Sequence, residues 1–580
     1  MQNETRQCQN CKKDFIVETE DFNFYEKMKV PPPTFCPQCR LIRRMIWRNE
    51  RTLYKRKCDL CNEEKILIFP KDSPYKIYCF DCFFSDKWDA QECGMGYDFS
   101  KPFFEQYKNL LKNTPRLGII KQGFIVNSEY TNRVSDLKNC YLVFASANDE
   151  NCYYGTDYWD SKDSIDCYNL KKSEFCIECI DCYSCNNLKY SQECNSCIDS
   201  MFLINCRNCQ NCFGCVNLSI KNYCIYNKQY TKEEYLLKLA EIKTSDRNEL
   251  DKIKEKIKVF SNEFVVPSLV EYHSINVSGN WIENSKNVRY AFNCNKAEDG
   301  KYLFGIMEAK DVMDYTYWGK GSELMYECCS IGRQCASVKF SDECWDQLIQ
   351  SEYCIDCFSS SNLFGCIWLR KKSYCIFNKQ YSKEEYENTI LKIKEQMQNV
   401  PFVDKKGSIY RYGEFFPFEL SPFAYNETIA QEYIPKSKEQ VISEGYLWKD
   451  SELRNYTPTI LSGDLPQEIK EVNEDILKEV IECIHEGKCS QQCTQAFKIT
   501  ENELNMRRRF NLPLPKLCPN CRHYERLSRR QPIKLWPRVC TCDKKNHKHD
   551  GLCSNKFETT YSPDSPEIVY CEYCYQQEVY

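Results

Sequence analysis

Residues 176–215 read CIECIDCYSCNNLKYSQECNSCIDSMFLINCRNCQNCFGC. Here the cysteines keep a strict step. All 14 Cys between residues 140 and 224 stand at positions that leave remainder two on division by three. Cys152, Cys167, Cys182, Cys197 and Cys212 lie 15 apart, as do Cys179, Cys194, Cys209 and Cys224, and Leu188, Leu203 and Leu218 keep the same spacing. A fixed period with stacked like residues is the signature of a solenoid. Fifteen residues are too few for a helical-hairpin repeat, so the spacing predicts a slim parallel β-helix with 15-residue rungs and five inward side chains each. A buried free Cys is a small hydrophobe suited to a narrow core. Internal disulfides, a metal–thiolate ladder and an iron–sulfur site are the alternatives.

The solenoid is duplicated. Phe213–Tyr235 reads FGCVNLSIKNYCIYNKQYTKEEY and Phe364–Tyr386 reads FGCIWLRKKSYCIFNKQYSKEEY, with 16 of 23 residues identical. The second copy has nine Cys, from Cys294 to Cys375, and Leu348, Cys354 and Leu363 fill its inward slots. Exchange of Cys with Leu suits apolar packing and not ligation. Thr231-x-x-Glu234 and Ser382-x-x-Glu385 are capping boxes. Each predicts a helix that closes a solenoid end, with Tyr235, Leu239 and Ile242 or Tyr386, Ile390 and Ile393 as its apolar stripe. Residues 102–114 predict an amphipathic helix before the first solenoid, and 466–487 a helix before the last module.

Outside the solenoids the cysteines fall in pairs. Cys8/Cys11, Cys36/Cys39, Cys58/Cys61 and Cys79/Cys82 are each C-x2-C. Two such pairs make one tetrahedral four-thiolate zinc site. The far end repeats them: Cys493, Cys518, Cys521 and Cys540 match Cys11, Cys36, Cys39 and Cys58 at an offset of 482, and Cys553, Cys571 and Cys574 match Cys61, Cys79 and Cys82 at 492. Cys489 falls one residue short of the shifted Cys8. The ten-residue insertion holds Cys542, His547 and His549, any of which could displace Cys540 as a ligand. The expected cofactor is therefore Zn2+, about four ions per chain. Spacing alone leaves sequential and cross-braced pairing of the Cys pairs both open.

Residues 6–45 resemble the small bacterial family described as "probable zinc-binding domain", a treble-clef type zinc ribbon. The shared residues are Cys8-x2-Cys11, Phe15, Asp21, Phe24-Tyr25, a proline stretch and Cys36-Pro37-x-Cys39-Arg40. The C-terminal copy keeps Phe497, Pro513, Pro515 and Cys518-Pro519-x-Cys521-Arg522, with Met506 and Arg507 in place of the Phe-Tyr pair. The resemblance implies that each site closes within its own four cysteines, hence sequential pairing. More loosely, the whole chain is similar to long bacterial zinc-ribbon proteins with a Cys-rich middle. Some of these carry a CoA-transferase label, for which no residue here speaks.

The expected fold class is multidomain and mainly β: two terminal double-zinc modules flank two duplicated β-helices with capping helices. The expected segments are 1–100, N-terminal double-zinc module; 101–126, lead-in helix and connector; 127–230, first β-helix; and 231–262, capping helix and linker. After these come 263–381, second β-helix; 382–397, capping helix; 398–487, aromatic and Pro-rich connector with a helix; and 488–580, C-terminal double-zinc module.

The 580-residue chain carries 79 basic and 83 acidic side chains, 42 Cys and only 5 His. Few histidines argue against His-based catalysis. No P-loop, G-x-G-x-x-G, G-x-S-x-G or H-E-x-x-H motif is present, so no enzyme activity and no small-molecule substrate are expected. The polar N-terminus and the lack of a long apolar run predict a cytoplasmic protein with no membrane partner. Charge is concentrated locally: residues 37–57 are net +7 and residues 506–540 net +9. Arg40, Arg44 and Arg48 lie four apart, as do Arg522, Arg526 and Arg530, with Trp47, Tyr54, Tyr524 and Trp536 among them. Guanidinium and aromatic groups together suit contact with RNA or DNA. The sequence therefore predicts a zinc-binding scaffold that meets nucleic acid through these six arginines. The alternatives are a protein–protein interaction scaffold using the solenoid faces, with the basic faces docked on the acidic remainder, and a thiol or metal redox protein.

Overall fold

Every third residue of the first solenoid turns a corner. Asn139, Leu142, Ala145, Asn148 and Asn151 have φ of 54, 52, 51, 59 and 54°, and the pattern runs on to Tyr226. This left-handed region is costly for most side chains and cheapest for Asn, Asp and Gly, which is why Asn and Asp crowd these slots. The residue after each corner points inward. Parallel pairing of Tyr168 with Ile180, Ile198 with Gln210 and Gln210 with Asn222 fixes the rung. It is 12 residues long, with four sides of three and four inward side chains. The expected rung of 15 with five is thus corrected. Both periods are multiples of three, and cysteines populate both; the strand register shows the turn closed by four corners.

The rung explains the cysteines. Cys182, Cys194 and Cys206 stack one above another and are buried. Each thiol reaches two carbonyls: Cys194 Sγ lies 3.3 Å from Gln192 O and 3.6 Å from Leu203 O. Ser161 makes the same pair of contacts, to Trp159 O at 3.2 Å and Leu170 O at 3.1 Å. The slot selects a small side chain that can donate, and Leu fills it where no donor is needed. All 42 cysteines are free thiols. On the outside, corner amides form ladders: Asn139 Nδ2 donates to Asn151 Oδ1 and Asn151 Nδ2 to Asp163 Oδ1, both at 3.1 Å.

The computed structural model describes residues 2–450, 457–547, 549 and 551–579; residues 451–456 of the expected connector lie outside them. The fold class is the expected one: mainly β, with solenoid repeats in the middle and Cys-rich clusters at both ends. The second solenoid is less regular. Its register steps by 11 from Ile275 to Lys286 and by 13 from Ala336 to Ile349. Both solenoids finish in an antiparallel hairpin (Cys224 opposite Gln229, Cys375 opposite Gln380). Helices Lys232–Ala240 and Lys383–Asn399 follow, each opened by its capping box. A further helix, Arg247–Ser261, falls where a linker was expected and buries Leu250 and Ile257 against the first solenoid. The predicted lead-in helix is Phe103–Asn113, but its Phe103 and Phe104 pack on Tyr353 of the second solenoid.

The expected helix at 466–487 is absent. Short 3-10 turns, Ile469–Glu471 and Glu474–Leu477, give way to the strand Ile481–Glu482, which pairs with Ala496–Phe497. That hairpin is the first arm of the C-terminal module, so the module begins before the expected boundary at 488. The two solenoids meet through buried pairs such as Arg133–Glu343 at 2.7 Å. Each terminal module touches both. Strand Ile77–Tyr78 of the N-terminal module pairs with Arg116–Leu117 ahead of the first solenoid, and Ile568–Tyr570 of the C-terminal module pairs with Val265–Pro267 ahead of the second.

Candidate metal centres and the arginine interfaces

Four hairpin knuckles share one geometry. The backbone N–H of Cys8, Cys58, Cys483 and Cys540 closes the hairpin on Lys13 O, Glu63 O, Gln495 O and Asn555 O, at 2.8–2.9 Å. Across from each knuckle a second Cys precedes a helix and donates its N–H to the first sulfur. Cys36 to Cys8, Cys79 to Cys58 and Cys571 to Cys540 each span 3.2 Å, and Cys518 to Cys483 spans 3.3 Å. The following helices, among them Pro37–Met45 and Pro519–Ser528, set the last ligand one turn in. Four four-thiol groups result: Cys8/Cys11/Cys36/Cys39, Cys58/Cys61/Cys79/Cys82, Cys483/Cys493/Cys518/Cys521 and Cys540/Cys553/Cys571/Cys574. Sulfurs within each lie within 4.8 Å of one another, so each could hold a metal ion. The pairing is sequential.

In each set one sulfur, that of Cys8, Cys58, Cys518 or Cys571, is favoured as thiolate, while neighbouring thiols and burial push Cys39, Cys82, Cys521 and Cys574 up. Thiols of Cys36 and Cys39, with nearby N–H groups, outweigh burial and hold Cys8 far below the usual thiol range. Burial pushes Cys58 up, but the N–H groups of Cys61, Cys79 and Leu60 outweigh it, and Cys58 comes down to about 7. Thiolate is the form that binds metal.

One expected ligand is corrected. Cys483, not Cys489, is the counterpart of Cys8. The first C-terminal knuckle carries a seven-residue insertion, so a constant offset pointed to the wrong cysteine. Cys489 sits beside the set as a fifth thiol, 3.7 Å from Cys521 Sγ. A usable signal was present in Phe497, which follows Cys493 by four residues as Phe15 follows Cys11. Phe497 pairs with Ile481, two residues before Cys483, as Phe15 pairs with Arg6, two before Cys8. Cys540 holds its place in the last four-thiol group despite the longer insertion beside it.

The six arginines are also corrected. They do not form a free surface for phosphate. Arg40 Nε donates to Asp314 Oδ2 at 2.9 Å, and Arg44 Nη1 lies 3.2 Å from both Asp314 Oδ1 and Glu327 Oε2. Arg43 joins them, with Glu327 and Glu414 each at 2.8 Å. Arg48, past the helix end, is buried against Glu50 and Ser330 and stacks on Tyr317. At the other end Arg526 Nη1 meets Asp166 Oδ1 at 2.8 Å, and Arg522 Nη1 meets Glu503 Oε1 at 2.9 Å. Arg507 bonds the same two carboxylates, and Arg530 lies over Tyr168 and Tyr433 while donating to Glu432 O. Of the six, only Arg530 is more than slightly exposed. Trp47 is buried on Phe416, and Tyr54 bonds Glu427. A buried guanidinium needs a carboxylate partner; the solenoid faces supply Asp166, Asp314 and Glu327, and Glu50, Glu414 and Glu503 come from outside them. Nothing in the sequence marks Asp166, Asp314 or Glu327 for this work.

The docking is crossed. The N-terminal arginine helix packs on the second solenoid and the C-terminal one on the first. Each metal module therefore spans both solenoids. Among the described residues no helix is long and apolar enough to cross a membrane.

No protein-family model and no curated protein matches the chain. Among solved structures, one titled "putative acetyltransferase from Desulfovibrio desulfuricans G20" is similar over 50% of this chain and 85% of its own, at 8% identity and a TM-score of 0.09. A likeness that weak carries no argument about fold or activity.

Proposed function

We propose that this chain is a non-enzymatic, zinc-dependent scaffold whose terminal modules clamp two β-solenoids into one rigid body. The observation that carries the reading is the crossed docking of both arginine helices. Zinc suits four-sulfur tetrahedral sets and is the expected ion, about one per set. Closed four-ligand sets speak for structural metal and against a catalytic one. Unpaired thiols throughout fit a reducing compartment such as the cytoplasm.

For the partner, protein is favoured over RNA or DNA. The arginines are spent inside, and an open column of the first solenoid alternates Lys138, Glu150, Lys162 and Glu174, with Lys138 and Glu150 paired at 2.6 Å. Mixed charge of this kind gives no counterion-releasing stripe. The test is a titration of the reduced, zinc-loaded protein with single- and double-stranded RNA and DNA across a salt series, beside limited proteolysis with and without a chelator. The expected result is no salt-steep binding, and rapid cleavage once zinc is removed. Tight, salt-steep binding would restore the nucleic-acid reading. Unchanged cleavage after chelation would remove the clamp.

A further inference from the structure

The last knuckle, Cys540 to Asn555, holds more ligands than one ion can use. Donor atoms of Cys542, His547, His549 and Cys574 lie within 4.8 Å of one another, as do those of Cys540, Cys553, Cys571 and Cys574. Cys574 belongs to both groups. Seven side chains with one shared are the ligand count of two four-coordinate ions joined by a single thiolate.

The imidazoles are arranged as ligands. His547 is 1% exposed and Cys542 fully buried. His547 Nδ1 lies 3.1 Å from Cys542 Sγ, and its Nε2 faces Glu578 Oε2 at 3.5 Å. Glu578 in turn meets Lys544 at 3.4 Å. His549 Nδ1 is bonded to Gly551 O at 2.8 Å, while its Nε2 is buried with no hydrogen-bond partner. A ligating histidine typically directs one ring nitrogen at the metal and gives the other to a carboxylate or carbonyl. Both rings are turned to ligate: His547 through Nδ1, with its Nε2 facing Glu578 but not hydrogen-bonded to it, and His549 through Nε2, with Gly551 O behind it. A chance loop would not bury one imidazole beside a thiol and leave the other's free nitrogen unpartnered.

We infer that the last centre is binuclear, with one ion held by four cysteines, a second held by two cysteines and two histidines, and the Cys574 thiolate shared between them. Two divalent ions among five thiolates and two neutral imidazoles carry one net negative charge, against two for an isolated divalent ion with four thiolates. The inference rests on metal binding at the four-thiol groups. The equivalent N-terminal group, Cys58, Cys61, Cys79 and Cys82 alone, has the ligand count of one ion.

The test uses the full chain. Metal content is measured by mass spectrometry for the native protein and for H547A/H549A, and the native chain loaded with cadmium-113 is examined by NMR. Loss of one ion per chain in the double variant, and two cadmium resonances coupled through a shared sulfur, are the expected results. Equal metal content in both proteins, with no coupled pair, would overturn the inference while leaving the four-thiol sites intact. A native chain with no metal would instead overturn the metal reading itself. Should the variant lose the whole centre, the coupled pair in the native chain decides.

Discussion

The two terminal modules descend from one plan, and they differ where the chain has been lengthened. At the N-terminus both knuckles are minimal, Cys8 to Lys13 and Cys58 to Glu63. At the C-terminus they run from Cys483 to Gln495 and from Cys540 to Asn555. The first insertion adds Cys489 and the second Cys542, His547 and His549 as further donor side chains, and both leave the closing hydrogen bonds unchanged. The docking surfaces differ too. Arg40, Arg43 and Arg44 face three carboxylates, Asp314, Glu327 and Glu414. Arg507, Arg522 and Arg526 share two, Asp166 and Glu503. The position of Arg43 is taken by the exposed Glu525. The knuckle and the helix it opens are thus the fixed parts, while ligand number and charge balance vary around them.

Metal removal tests what the modules share, and its effect should be the largest. Structural zinc in small domains is worth about 10–16 kcal/mol. Chelation should release both arginine helices, seen as lost hydrogen-exchange protection over residues 37–45 and 519–528. Persistent protection at one end only would show that this end docks without metal.

The docking surfaces can be separated next. Asp166→Ala leaves Arg507 and Arg522 with Glu503 and Arg526 with no carboxylate, only the Tyr154 carbonyl, and should cost about 3–5 kcal/mol in local opening. Asp314→Ala leaves Glu327 and Glu414 in place and should cost about half that, roughly 2 kcal/mol. Equal costs would break the distinction. Acid gives a second comparison. Burial raises Asp166, but Arg522, Arg526 and Arg507 outweigh it and hold it below the usual carboxylate range. Its stabilisation is present above the ordinary aspartate value, about 3.9, and is lost as pH falls through the depressed one. Burial raises Glu327 despite Arg43 and Arg44. Folded chains then bind that proton more readily than unfolded ones, so acid favours the interface through this group. On acidification the C-terminal helix should lose protection first.

The solenoid supplies the smallest effects. Asn151→Ala should cost about 1–2 kcal/mol, because Ala must hold a left-handed corner. Asn151→Gly should cost less, which separates backbone strain from loss of the amide ladder. Cys182→Ser keeps a small donor in an inward slot that Ser fills elsewhere. It should change stability by about 1 kcal/mol or less, read from denaturant midpoints. A larger loss would mean the thiols do more than pack and donate.

Much of this was legible in the sequence. The three-residue step set the inward slots, and the paired cysteines located three of the four thiol groups in full. The period was misread because identical residues recur at several multiples of three; the parallel register selects 12. Cys483 was missed because one offset was carried across an insertion. The arginine stripes were legible as charge, but a stripe looks the same whether it meets phosphate or Asp166. That answer lies in residues hundreds of positions away, where no local pattern records it.

Crossed docking also has a cost in time. Arg44 lies 270 residues before Asp314. At ribosomal rates of about 5–20 residues per second, the N-terminal helix waits roughly 15–55 s for its carboxylates to emerge. During that wait its guanidiniums stay hydrated, and the module stands apart from a first solenoid already winding beside it. The second solenoid then has a waiting partner, but the first must stay half-covered until residues 507–530 arrive. The clamp therefore closes only after Arg507, Arg522 and Arg526 have emerged, and a product truncated before them would leave Asp166 on the first solenoid uncovered.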